Sequence, residues 1–159
     1  MKKSHIVAVG CLVAVGVIFA VVLKTDKASD SLRENDLVSA AVVYKTPACG
    51  CCHVYAEYLK REGVSVEVRD VTDLAGIKRQ YGIPPQLESC HTSVIGEYVV
   101  EGHVPLEVVE KLLAEKPDIK GIALPGMPAG SPGMPGLKVG PWTVYALARD
   151  GSFNEFMQY

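Results

Sequence analysis

"KTPACGCCHVYAEYLKREG", residues 45–63, carries three cysteines within four positions: Cys49, Cys51 and Cys52. The stretch reads as the end of a strand, a stop at Thr46-Pro47, and a helix from about Cys51 to Glu62, with Gly63 as its C-terminal stop. Val54, Tyr55, Tyr58 and Leu59 fall on one expected helical stripe. Disulfide frameworks disperse their cysteines, because each bridge needs its own geometry. Zinc sites usually separate paired ligands by two to four residues. The cluster suits neither pattern well. It places thiols at a helix N-terminus, where the dipole and free N–H groups favour thiolate.

Outward from this stretch, the periodicities give a β-α-β-α-β-β-α order. Residues 38–44 are a β-rich run, and residues 64–71, "VSVEVRDV", alternate as a strand. A second helix spans Leu74–Tyr81, stopped by Gly82 and Pro84-Pro85. Residues 92–95 and 98–100 flank Gly96-Glu97 as a hairpin. Pro105 opens a helix to about Lys116. Residues 142–148 are a candidate last strand, turned at Asp150-Gly151. The expected class is α/β: a thioredoxin-like mixed sheet with flanking helices, its active cysteines between the first strand and first helix.

The 159-residue chain has a formal net charge of -2, which offers nothing to attract nucleic acid, and a 48% apolar fraction sufficient for a core. Residues 1–23 stand apart. A short basic start precedes an unbroken run of 18 apolar or small residues from Ile6 to Leu23. As a helix that run would reach about 27 Å, close to the thickness of bilayer hydrocarbon. It is expected to be an N-terminal membrane anchor or a signal peptide, with residues 24–37 a polar linker and 38–159 the exported domain. Cys11 sits inside the run as a small apolar residue.

Four cysteines remain for the domain: Cys49, Cys51, Cys52 and Cys90. Two uses are open. Cys49 and Cys52 form a C-x-x-C, the arrangement of a thiol–disulfide oxidoreductase, although Cys51 is then superfluous. Cys90 lies where thioredoxin-like enzymes carry a cis-proline, before the third strand. Alternatively, Cys90 faces the other three and the sulfurs hold metal. Four thiolates carry about four negative charges, which are costly to bury. Several bridged Cu(I) ions cancel them, and soft sulfur selects Cu(I). Stabilising disulfides or a closed zinc site are the plainer alternatives. His53, His91 and His103 are secondary candidate ligands: His53 is as readily solvated as ligating, His91 should face away from Cys90 at the strand edge, and His103 either ligates or caps the turn before the next helix. "LPGMPAGSPGMPG", residues 124–136, offers the thioethers of Met127 and Met134 on an irregular loop.

The blocks "TPACGCCHVYAEYLKREG", "GIPPQLESCHTSVIGEYVVEGHVP" and "LPGMPAGSPGMPG" together resemble the CopG-like copper-resistance family of exported proteins, over about residues 40–148. The resemblance implies a thioredoxin-like fold, a periplasmic address and copper handling. It maps the family's cysteines onto Cys49, Cys51, Cys52 and Cys90 as holders of a copper–thiolate cluster, and His103, Met127 and Met134 onto further family positions. Copper ions and other periplasmic copper-handling proteins are the expected partners, with the inner membrane reached through residues 6–23 if that segment is retained.

Overall fold

The computed structural model describes residues 40–159. The apolar run and the polar linker lie outside these residues. Among the described residues no helix is long and apolar enough to cross a membrane.

Strand β1 (Ala40–Lys45) turns Ala41 and Val43 into the core, as period-2 alternation requires. Pro47 cannot continue the ladder, and the chain enters helix α1 (Gly50–Arg61). The buried stripe of α1 is Cys52, Tyr55, Ala56 and Leu59, at i, i+3, i+4 and i+7. This differs from the expected stripe: Val54 is turned outward, 46% exposed. The rotation places a cysteine at the head of the buried face.

Strand β2 (Ser65–Asp70) runs parallel to β1, and the Lys45–Asp70 ion pair (2.7 Å) ties their C-terminal ends. Helix α2 (Leu74–Tyr81) is capped by Asp73, whose carboxylate accepts from the Gly76 N–H at 2.7 Å. Gly82, at φ 65°, ends it in the left-handed region that glycine enters without strain. A single 3-10 turn, Pro85–Leu87, precedes β3 (His91–Ile95). Strand β4 (Tyr98–Glu101) pairs with β3 across the expected Gly96-Glu97 turn. Helix α3 (Leu106–Glu115) leads to β5 (Gly121–Ala123), β6 (Thr143–Leu147) and β7 (Phe153–Gln158).

The seven strands form one mixed sheet in the order β2-β1-β3-β4-β5-β6-β7. Two pairs are parallel, β1–β2 and β4–β5, and the rest are antiparallel. Neighbouring strand residues point to opposite faces. Val100 and Ile122 join the main core with Tyr55, Leu59, Val109 and Leu112 of α1 and α3. Val99 and Ala123 join a smaller cluster with Ile83 and Leu87. Thus α1 and α3 cover one face, and the α2–β3 connection covers the other.

The expected α/β class holds, with two strands added. Only three residues long, β5 is too short to show a period. Its Gly121 lies so close to the Val99 carbonyl that a Cβ would not fit. The β7 sequence, "FNEFMQ", is mostly exposed at the sheet edge, with Phe156 and Met157 partly buried against the core.

Candidate metal centre

Cys49 is the N-cap of α1, and its sulfur accepts from the Cys52 N–H at 3.3 Å. Cys49 and Cys52 are joined as a disulfide, with Cα atoms 5.4 Å apart. Cys51 is a free thiol, as is Cys90. The Cys51 sulfur lies 3.5 Å from that of Cys49 and 3.9 Å from that of Cys90.

The sheet register brings Cys90 here. His91 pairs with Lys45, so the residue before β3 lies beside the β1 end from which α1 departs. The Cys52 sulfur approaches the Cys90 carbonyl at 3.5 Å. All four sulfurs fall within 4.8 Å of one another. No peptide bond among the described residues is cis, and Cys90 itself occupies the position immediately before β3.

Cys90 also belongs to a second group, with His91 and His103, again within 4.8 Å. The His103 Nδ1–H donates to the Pro132 carbonyl (2.6 Å), leaving Nε2 to face the Cys90 sulfur at 2.9 Å. The His91 Nδ1 is 3.4 Å from the same sulfur. Tyr55 braces both rings from α1, at centroid distances of 4.6 Å to His91 and 5.4 Å to His103. Its hydroxyl donates to the Val104 carbonyl at 2.8 Å.

Burial, reinforced by neighbouring Cys51, pushes the Cys90 thiol up to about 12. Burial holds His91 well below the usual imidazole range, and His103 and Lys78 lower it further. His103 is also lowered by burial, against the opposing effect of the Pro132 carbonyl. Without metal, the site is therefore a neutral thiol against two neutral imidazoles. A cation reverses the balance, because it supplies the counter-charge for thiolate.

An ion pair buried beside this half of the site organises it. Glu101 is fully buried and pairs with Lys78, only 4% exposed. One Glu101 oxygen also accepts from the Ser89 N–H (2.6 Å), and the other from the Thr92 hydroxyl (2.6 Å). Ser89 and Thr92 bracket Cys90 and His91, so one carboxylate fixes the turn that presents both. Gly102, at φ 79°, follows; a Cβ there would fall 2.5 Å from the Leu124 carbonyl.

The glycine–proline loop closes over the first turn of α1 through its backbone. At Gly133 a Cβ would stand 2.8 Å from the Tyr55 nitrogen and 3.0 Å from the Cys51 carbonyl oxygen. Met134 follows directly and is partly buried. Met127 is 39% exposed and holds φ 48°.

The four predicted cysteines thus meet, and His103 joins them, buried instead of capping a turn. His53 is exposed. The expectation for His91 is overturned: its ring is fully buried beside Cys90. Strand alternation does not govern this pair, because Cys90 lies in the bend before β3 begins. Nothing local in the sequence marks Lys78 and Glu101, 23 residues apart, as partners.

Residues 87–134 match the family described as "Protein of unknown function, DUF411". Two solved structures, named "Copper resistance protein copG", Form 2 and Form 1, are similar to this chain. Each shows 38% sequence identity and a TM-score of 0.70, covering 76% of this chain and 97% of its own. No curated protein matches at a significant level.

Proposed function

Because the chain belongs to the family of the copper resistance protein CopG, we propose that it holds copper at the four-sulfur centre. In the reduced state, Cys49, Cys51, Cys52 and Cys90 are the ligands for Cu(I), and several ions share bridging thiolates. The observation that carries this reading is the meeting of all four sulfurs within 4.8 Å. Thiolate is the soft donor that selects Cu(I), and more than one monovalent ion is needed to offset four negative charges. His103 adds an oriented nitrogen, and Met127 and Met134 are the candidate thioether donors or cover. The role is copper resistance or homeostasis outside the cytoplasm. Residues 1–23 export or anchor the chain, and other periplasmic copper-handling proteins exchange the metal with it.

The run from β1 to α3 is read as a thioredoxin-type core. Its strand order β2-β1-β3-β4 and the cysteine-headed α1 support that reading. The Cys49–Cys52 disulfide supports a redox component. The Cys49 and Cys52 thiolates can each give one electron to a Cu(II) ion. Two Cu(II) then become two Cu(I), and the two sulfurs become the disulfide. The same bond favours the second reading, a thiol–disulfide oxidoreductase acting through Cys49 and Cys52.

Anaerobic Cu(I) titration of the reduced chain tests the proposal. More than one Cu(I) per chain is expected, and a limit of one copper would overturn the multinuclear reading. Cys51→Ser separates the two readings. A bridged cluster loses normal copper loading without that sulfur, whereas a dithiol enzyme keeps its disulfide-reducing activity toward a substrate such as insulin.

A further inference from the structure

We propose that Cys90, His91 and His103 form a second metal site, sharing Cys90 with the four-sulfur centre, that holds a single divalent ion while the Cys49–Cys52 disulfide is closed. The neighbouring centre is assigned by the copper reading above; the second site adds two imidazoles to the shared Cys90 sulfur.

The disulfide removes two of the four sulfurs from metal binding, leaving the free thiols of Cys51 and Cys90. Copper held by four thiolates has no place in this state. The mixed group is untouched by the change. Its three ligand atoms lie within 4.8 Å of one another, and both rings are fully buried. One thiolate and two neutral imidazoles bind a dication with one net positive charge remaining. This is a borderline donor set, suited to Cu(II) or Zn(II) instead of a cluster of Cu(I). Three protein ligands also leave a position open for water or an incoming donor.

Two observations mark the histidines as more than core packing. His103 donates from Nδ1 to the Pro132 carbonyl, an outer partner that fixes the tautomer and aims Nε2 at the sulfur. His91 turns its Nδ1 to the same sulfur, 3.4 Å away. Cys90 is common to both donor sets, so one state of the disulfide selects soft monovalent copper and the other a borderline dication.

The test uses the full chain with the Cys49–Cys52 disulfide closed, checked by mass after trapping free thiols, and titrated anaerobically with Co(II) as the spectroscopic probe. One Co(II) per chain is expected, with a thiolate-to-cobalt absorption band in the near ultraviolet. Cys90→Ser should abolish the band, and His103→Gln and His91→Gln should each weaken binding at least tenfold. His53→Gln, at an exposed site, should match the parent. Absence of the band in the parent chain overturns the proposal, whatever the folding of the buried variants. Binding indifferent to both histidine variants also overturns it. Cu(I) loading of the reduced chain is measured in parallel. If it is normal and the cobalt band is missing, the second site alone falls. If the band is present and Cu(I) loading fails, the copper cluster alone falls.

Discussion

Three of the four sulfurs come from one turn of α1, within four consecutive residues, whereas Cys90, His91 and His103 reach the same spot from the start of β3 and the end of β4. The first half is local. A strand stop, an N-cap and a helix dipole place its thiols, and few distant contacts are needed. The second half is assembled over long range, by sheet register, by the buried Lys78–Glu101 pair and by a carbonyl of the glycine–proline loop. The difference teaches where the site is fragile: substitutions far from any sulfur should damage the second half first.

The sharpest way to break this contrast is Glu101→Ala. It strands the Lys78 ammonium in the core, and removing one member of a buried pair typically costs about 3–5 kcal/mol. Denaturant unfolding should show a loss of that size. The double variant Lys78→Met with Glu101→Leu should recover most of the stability, since an apolar replacement of both partners is often neutral or better. It still lacks the acceptor for the Ser89 N–H, so its copper retention should stay impaired. Full recovery of copper binding would show that the carboxylate does not position the Cys90 turn.

Cys90→Ser attacks the second half directly. The fold should persist, while competition with a Cu(I) chelator should reveal weakening on the order of a hundredfold, or about 2.7 kcal/mol. Unchanged affinity would mean that the three α1 thiols suffice.

Gly133→Ala tests whether the loop is seated on α1. The residue has φ 83°, and its Cβ would press on the Tyr55 nitrogen and the Cys51 carbonyl. A left-handed alanine costs roughly 1–2 kcal/mol, and the steric conflict should lift the loop. Copper should then exchange faster, with little change in how much is bound. An exchange rate equal to the parent's would show that the loop does not limit access.

The smallest effect is expected from the joint variant Met127→Leu and Met134→Leu. Volume is nearly conserved, so stability should change by less than ~1.5 kcal/mol. Faster loss of copper to a chelator, or earlier oxidation in air, would assign the thioethers to the site. Parity with the parent in both assays would make them packing residues.

Legibility in the sequence follows the same division. Helix α1 and its three thiols could be read because strand ending, capping and helical spacing are local signals. The Gly96-Glu97 hairpin and α2 were equally readable. Long-range features left weaker marks. Cys90 could be paired with the cluster only through fold order and family resemblance. Strand alternation does not place His91, because Cys90 lies in a bend and not in the strand. Lys78 and Glu101 carry no local mark of their pairing. The role of the glycine–proline loop lies in a carbonyl and a missing side chain, at Pro132 and Gly133. Residue identity does not announce either of them as a contact.

The acceptor that orients His103 is a main-chain oxygen. Every residue type supplies that atom, so sequence drift at position 132 cannot delete it. What must be inherited is the path of the loop. The histidine's aim is therefore insured against most single-codon changes at its partner and exposed only to those that reroute the backbone. The permissive glycines, and not the contacting residue, are where selection on this hydrogen bond should be felt.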